Sequence, residues 1–209
     1  MCSIRGTLLL LLGLLQLVGC ATPGTSPGEA ESATAEVVVV ADIAITTEQD
    51  AARHEALQMV LEVMRAGEWQ TALELSEELI TNYPTMAEAY ANLGNIHWRL
   101  GAGEKAEEAW IRALELRPGW ASVCNQMGLF YRERGSFIQA LSMYQQALAA
   151  DEGYARAHRN LAILYEIYLG EGTKALQHYR RYQELSGGGG QGVDLWIADL
   201  ERRVARGDE

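Results

Sequence analysis

The side chains able to do covalent or metal chemistry are few. Histidines stand at His54, His97, His158 and His178, and cysteines at Cys2, Cys20 and Cys124. A zinc site needs ligands paired at short helical or loop spacing, and no two of these residues have it. The glycine run at 186–192, "SGGGGQG", has neither the lysine nor the preceding strand of a phosphate loop. No serine or cysteine stands in a recognisable nucleophile setting. Carboxylates such as Glu74, Glu77 and Glu78 recur in helical patterns and read as solvated faces. The sequence offers no catalytic residue, no metal ligands, no cofactor site and no small-molecule substrate site, so an enzyme is the remotest function it admits. What remains is a thiol at the end of an apolar run, and the binding chemistry of arginine and asparagine side chains.

The thiol is Cys20. Arg5 precedes an apolar run over 7–19 that only Gln16 interrupts. That run is short for a membrane span, which takes about 20 apolar residues, and has the layout of an export signal. After it, 21–35, "ATPGTSPGEAESATA", holds no large apolar residue and reads as a flexible tether with a reach of roughly 20 Å. The next segment, "EVVVVADIAI", is β-prone, so an apolar extended strip is expected at 37–45. It is free either to dock on the folded domain or to add as a strand to a partner's sheet. Thr46 and Thr47, followed by Glu48, Gln49 and Asp50, then predict a helix N-terminus.

The elements that must position any binding residues are set by a repeat. Gly67, Gly101 and Gly135 are spaced by 34, as are Ala72, Ala106 and Ala140, and Leu93, Met127 and Leu161. Within 87–118, "AEAYANLGNIHWRLGAGEKAEEAWIRALELRP", small and apolar residues fall at helical spacing on either side of Gly101 and Gly103, and Pro118 ends the pattern. Each unit is a helix, a tight turn and a second helix. Neither helix has enough apolar face to stand alone, and stacked copies bury a continuous core.

This unit resembles the tetratricopeptide repeat through Tyr90, Leu93-Gly94, His97, Gly101, Ala106, Trp110, Ala113 and Pro118. The resemblance implies an all-α solenoid of about four repeats over 51–186, with units at 53–86, 87–120, 121–154 and 155–186. Gly94, Ala106, Trp110, Gly128, Ala140 and Tyr144 are the expected packing positions, small where two helices cross and aromatic where a gap must be filled. The first unit is degenerate, with Val60 in place of the close-contact glycine and Ser76 in place of the aromatic. Cys124 stands where Tyr90 stands in the previous unit, which predicts packing rather than redox chemistry. The fourth unit slips by one residue: Gly170 lies 35 beyond Gly135, which predicts a π-bulge or a widened turn in "EIYL" after Tyr165. A glycine-rich linker at 187–192 and a helix at 193–206, with an apolar stripe of Val193, Trp196, Ile197, Leu200 and Val204, predict a cap on the last repeat.

Leu17-Val18-Gly19-Cys20 in turn resembles the lipobox of bacterial lipoproteins. That resemblance implies removal of 1–19 as a signal peptide and acylation of Cys20. Ala21 after the cysteine favours the outer membrane, with the protein facing the periplasm of a Gram-negative envelope. The formal charge of −11 argues against nucleic acid and against electrostatic attraction to anionic lipid, so a covalent lipid is the membrane link expected.

In the repeat family, fixed places on the first helix line a concave groove for an extended peptide or partner helix. Carried over to this chain, those places include Asn95, Trp98, Arg99, Asn125, Arg132, Arg156 and Arg159, a set suited to an acidic segment. The opposing expectation pairs these arginines with Glu88, Glu133 and Glu166 inside the groove. The chain is similar in plan to the repeat lipoproteins that act as pilotins for type IV pilus secretins and as adaptors in envelope assembly. The function expected is a membrane-anchored scaffold that binds a protein partner. The alternative is a component of a secretion, pilus or energy-transduction complex that uses 37–45 for strand addition.

Overall fold

The computed structural model describes residues 30–188 and 192–207, with side chains from Glu48 onward. The expected leader, Cys20, the tether up to residue 29 and part of the glycine-rich linker lie outside the described residues. The chain divides into two compact units, Met1–Thr47 and Glu48–Glu209.

All regular structure among the described residues is helical. The elements are α1 (Ala30–Ala66), α2 (Trp69–Asn82), α3 (Ala87–Arg99), α4 (Gly103–Leu116), α5 (Ala121–Glu133), α6 (Phe137–Ala150), α7 (Ala155–Ile163) continued by a π-helix (Leu164–Leu169), α8 (Gly172–Leu185) and α9 (Val193–Arg206).

The start of α1 corrects two expectations. The 37–45 strip is helical rather than extended, and the helix begins at Ala30 rather than after Thr47. No glycine or proline lies between residue 29 and Ala66 to stop a helix. Valine and isoleucine cost only about 0.3–0.7 kcal/mol each relative to alanine, and extending an existing helix avoids a new nucleation step. Strand addition through 37–45 therefore loses its structural basis.

From Glu48 onward the helices pair into hairpins: α3 with α4, α5 with α6, and α7 with α8. Val60 of α1 shares a buried cluster with Ala72 and Leu79 of α2. The first helices of successive hairpins also touch, α3 with α5 and α5 with α7, and form the inner face. The hairpin turns share one hydrogen-bond signature. Ala102 N–H donates to the His97 carbonyl at 2.8 Å and Ser136 N–H to that of Tyr131 at 2.9 Å, each closing a loop over a glycine of positive φ. The fourth turn spans one residue more: Glu171 N–H donates to the Tyr165 carbonyl at 2.9 Å. The additional residue is taken up by the π-helix, and Gly170 (φ 67°) still closes the turn in the left-handed region.

Small and large residues are matched where the hairpin helices cross. A Cβ at Gly94 would overlap the Trp110 ring, and one at Gly128 would overlap the Tyr144 ring, while Ala106 and Ala140 are fully buried. The degenerate first unit inverts the sizes, with Val60 in the glycine's place and Ser76 in the aromatic's, both buried. Val193, Ile197 and Leu200 of α9 join the buried cluster that holds Leu176 and Tyr179 of α8, so α9 covers the open face of the last hairpin. Trp196 of the same stripe stays 42% exposed and leans on Tyr179.

Candidate functional site: a concave groove with unpaired arginines

The first helices of the four hairpins leave a cavity of about 740 Å³ between them. Leu57, Leu61 and Ala91 give its first part an apolar wall, and Arg132, Arg156 and Arg159 enter from the third and fourth units. A row of amides lies between: Asn92, Asn95, Asn125, Gln126 and Asn160. These amides also join neighbouring units. Asn160 Nδ2 donates to Asn125 Oδ1 at 2.8 Å, with both residues buried, and Gln126 Nε2 donates to Asn95 Oδ1 at 3.4 Å. Tyr154 and Tyr182 close the arginine-bearing part.

Five of the seven residues expected to bind a partner meet here: Asn95, Asn125, Arg132, Arg156 and Arg159. Trp98 and Arg99 do not line the cavity. Trp98 turns into the hairpin and packs edge to face on Trp110 (centroids 5.7 Å) and Phe130 (6.3 Å). Arg99 lies over the Trp69 ring at 5.6 Å. In both cases an aromatic neighbour takes a side chain that the groove does not hold.

Sequence reasoning named Asn95 and Asn125 of the amide row and passed over Asn92, Gln126 and Asn160. The signal for these was present: Gln58, Asn92, Gln126 and Asn160 fall at 34-residue steps, a carboxamide in every unit. Such side chains carry both donors and acceptors and can follow the backbone of an extended peptide.

The acids expected to neutralise the arginines do not pair with them. Glu88 lines the cavity and pairs with Arg117 at 3.4 Å. Glu166 accepts from Tyr179 Oη at 2.8 Å and pairs with Arg203 of α9. Glu133 is exposed. Among the described residues, no ion pair joins Arg132, Arg156 or Arg159 to an acid.

Three of the four histidines and Cys124 serve packing, while His54 is exposed. His158 Nε2–H donates to the Glu152 carbonyl at 3.0 Å, which leaves its Nδ1 to accept from His178 Nδ1–H at 2.9 Å. Burial, with the neighbouring His158, pushes the His178 pKa down to about 4, and its ring stacks on Tyr165. His97 is buried and its pKa is lowered by that burial and by Lys105. Cys124 is buried and burial pushes its thiol up, away from the reactive thiolate. Among the described residues no group of three histidines, cysteines or acids is placed to hold a metal ion, and no helix is long and apolar enough to cross a membrane.

Stacked helical hairpins around a peptide-sized concave groove define a repeat solenoid built for protein binding. The tetratricopeptide repeat model matches residues 57–121 and 126–189, and the chain belongs to that family. It is 28% identical over 156 residues to Superkiller complex protein 3 of Mus musculus, covering 69% of this chain and 10% of that protein. Over 103 residues it is 35% identical to the probable UDP-N-acetylglucosamine–peptide N-acetylglucosaminyltransferase SPINDLY of Arabidopsis thaliana, covering 49% of this chain and 11% of the relative. The chain thus spans about a tenth of these curated relatives. Among solved structures, PilF of Pseudomonas aeruginosa superposes with a TM-score of 0.69 at 22% identity, covering 76% of this chain and 72% of that one. A thermophilic TPR protein of Thermus thermophilus gives 0.59 at 22% identity, covering 75% and 84%. At these identities the likeness is one of fold.

Proposed function

We propose that this chain is a lipid-anchored scaffold of the bacterial outer membrane, facing the periplasm, which holds an extended acidic segment of a partner protein in its concave groove. The observation that carries the reading is the set of arginines, Arg132, Arg156 and Arg159, that line the cavity without an ion-pair partner in a chain of formal charge −11. Guanidinium groups left without ion-pair partners in an acidic protein favour a carboxylate-bearing ligand, and the amide row supplies hydrogen bonds to its backbone. The apolar wall at Leu57 and Leu61 suits an apolar side chain further along the same segment. The anchor rests on Leu17-Val18-Gly19-Cys20 and the core-less segment after it. A place in an envelope assembly or secretion complex follows from such an anchor and groove.

Pull-down from solubilised envelopes tests the groove. The Arg156→Glu/Arg159→Glu double variant should fold normally and lose the partner, and unchanged recovery would sink the groove reading. For the anchor, Cys20→Ala should abolish fatty-acid labelling and membrane recovery while the far-ultraviolet spectrum stays that of the parent. Membrane recovery without Cys20 would overturn it.

A further inference from the structure

One place on the first helix of each hairpin faces one place on the second, and the units fill the pair differently. In the fourth unit the pair is Glu166 and Tyr179, joined by a 2.8 Å hydrogen bond, with Arg203 on the same carboxylate. In the second it is Trp98 against Trp110, edge to face at 5.7 Å. In the third it is Arg132 and Tyr144. Tyr144 is fully buried, and neither its hydroxyl nor the buried Nη1 of Arg132 has a hydrogen-bond partner. The two groups act on each other: the Arg132 charge opposes the rise that burial imposes on the Tyr144 phenol.

Two neighbouring buried donors without an acceptor are costly, and each calls for an explanation. The fourth unit supplies one. There, a phenol and a guanidinium converge on a carboxylate. The third unit has the phenol and the guanidinium, but the acid whose charge reaches Tyr144, Glu133, is exposed and bonds to neither of the two buried atoms. Arg132 also lines the concave cavity, so one member of the pair is within reach of a groove occupant.

We propose that Arg132 and Tyr144 form a carboxylate-binding subsite in the wall of the groove, completed by an aspartate or glutamate side chain of the bound segment, which takes the role Glu166 plays in the fourth unit. The inference rests on the groove reading above and names its acid anchor. Arg132 swings to expose the hydroxyl and offers its N–H fork to one side of the carboxylate, while Tyr144 donates to the other oxygen. A carboxamide keeps one acceptor oxygen but turns N–H donors toward the other of these donors and carries no charge, so it is disfavoured.

The test is a titration of the full chain with N-acetyl-glutamate amide, with N-acetyl-glutamine amide as control, followed through the arginine Nε–H nuclear resonances. The glutamate probe should shift the Arg132 signal saturably and the glutamine probe should leave it in place. Tyr144→Phe should weaken the glutamate probe about tenfold while its thermal midpoint stays level or rises, because the deleted hydroxyl had no partner. Arg132→Lys keeps the charge without the fork and should weaken binding as well. Equal affinity in parent and Tyr144→Phe, with the Arg156 and Arg159 signals still moving, overturns the subsite and leaves the groove reading standing. No movement at any of the three arginines overturns both.

Discussion

The third and fourth hairpins share one outline and differ in how they treat a buried phenol. In the fourth, Tyr179 is satisfied by Glu166, and Arg203 from α9 fixes the same carboxylate, so the hairpin, the π-helix and the cap are tied at one point. In the third, Tyr144 keeps its hydroxyl unpartnered beside Arg132. Equivalent backbone places thus end differently: one hairpin uses its polar atoms to tie its own elements together, and the other leaves them without a partner among the described residues. Repeat architecture permits this because each unit leans only on its neighbours.

The comparison is broken hardest at the same place in the second unit. Trp110 is fully buried against Gly94, and Trp110→Ala should cost about 3–5 kcal/mol in urea unfolding, since no neighbour can fill the space. A loss below 1 kcal/mol would mean the units do not share this crossing. Next in size, Glu166→Gln should cost about 1.5–3 kcal/mol by removing a charged acceptor from Tyr179 and Arg203, with amide exchange in α9 accelerating first. If α9 keeps its protection, the tie between hairpin and cap is unimportant.

A smaller effect follows from acid. Between its ordinary value of 6.5 and about 4, His178 takes up a proton in the unfolded chain but not in the folded one. Stability present in full above pH 6.5 should therefore fall toward pH 4, by on the order of 1–2 kcal/mol after allowance for partial exposure. His178→Gln should flatten that part of the thermal midpoint profile, and an unchanged slope would assign the loss to other groups. Smallest of all, Ser76 occupies the aromatic's place in the first unit with an unpartnered buried hydroxyl. Ser76→Ala should leave the unfolding free energy level or raise it by less than about 1 kcal/mol. A clear loss would reveal a hidden partner.

Much of the hairpin array was legible from spacing, because a period is a one-dimensional property. The glycines at 67, 101 and 135 mark the turns, and the step of 35 to Gly170 locates the additional residue that the π-helix absorbs. Direction was harder to read. Met64, Trp98, Arg132 and Glu166 share one place in the repeat, yet Trp98 folds down onto Trp110 while Arg132 reaches the groove. Aromatic stacking and charge solvation decide that choice, and neither is written in the period. The valine strip misled because β-propensity is local, whereas a helix without breakers propagates.

The π-helix at Leu164–Leu169 carries a lesson about how such arrays change length. An insertion in a turn would displace the whole following helix and unseat the next contact face. Swallowed inside the helix, the same insertion leaves the turn glycine and the partner helix in place and spends the surplus locally, pushing Ile167 and Tyr168 outward to 64% and 43% exposure. A duplicated gene can thus acquire one codon in the middle of a repeat without relinquishing the copies downstream, and new surface chemistry arises where the surplus emerges.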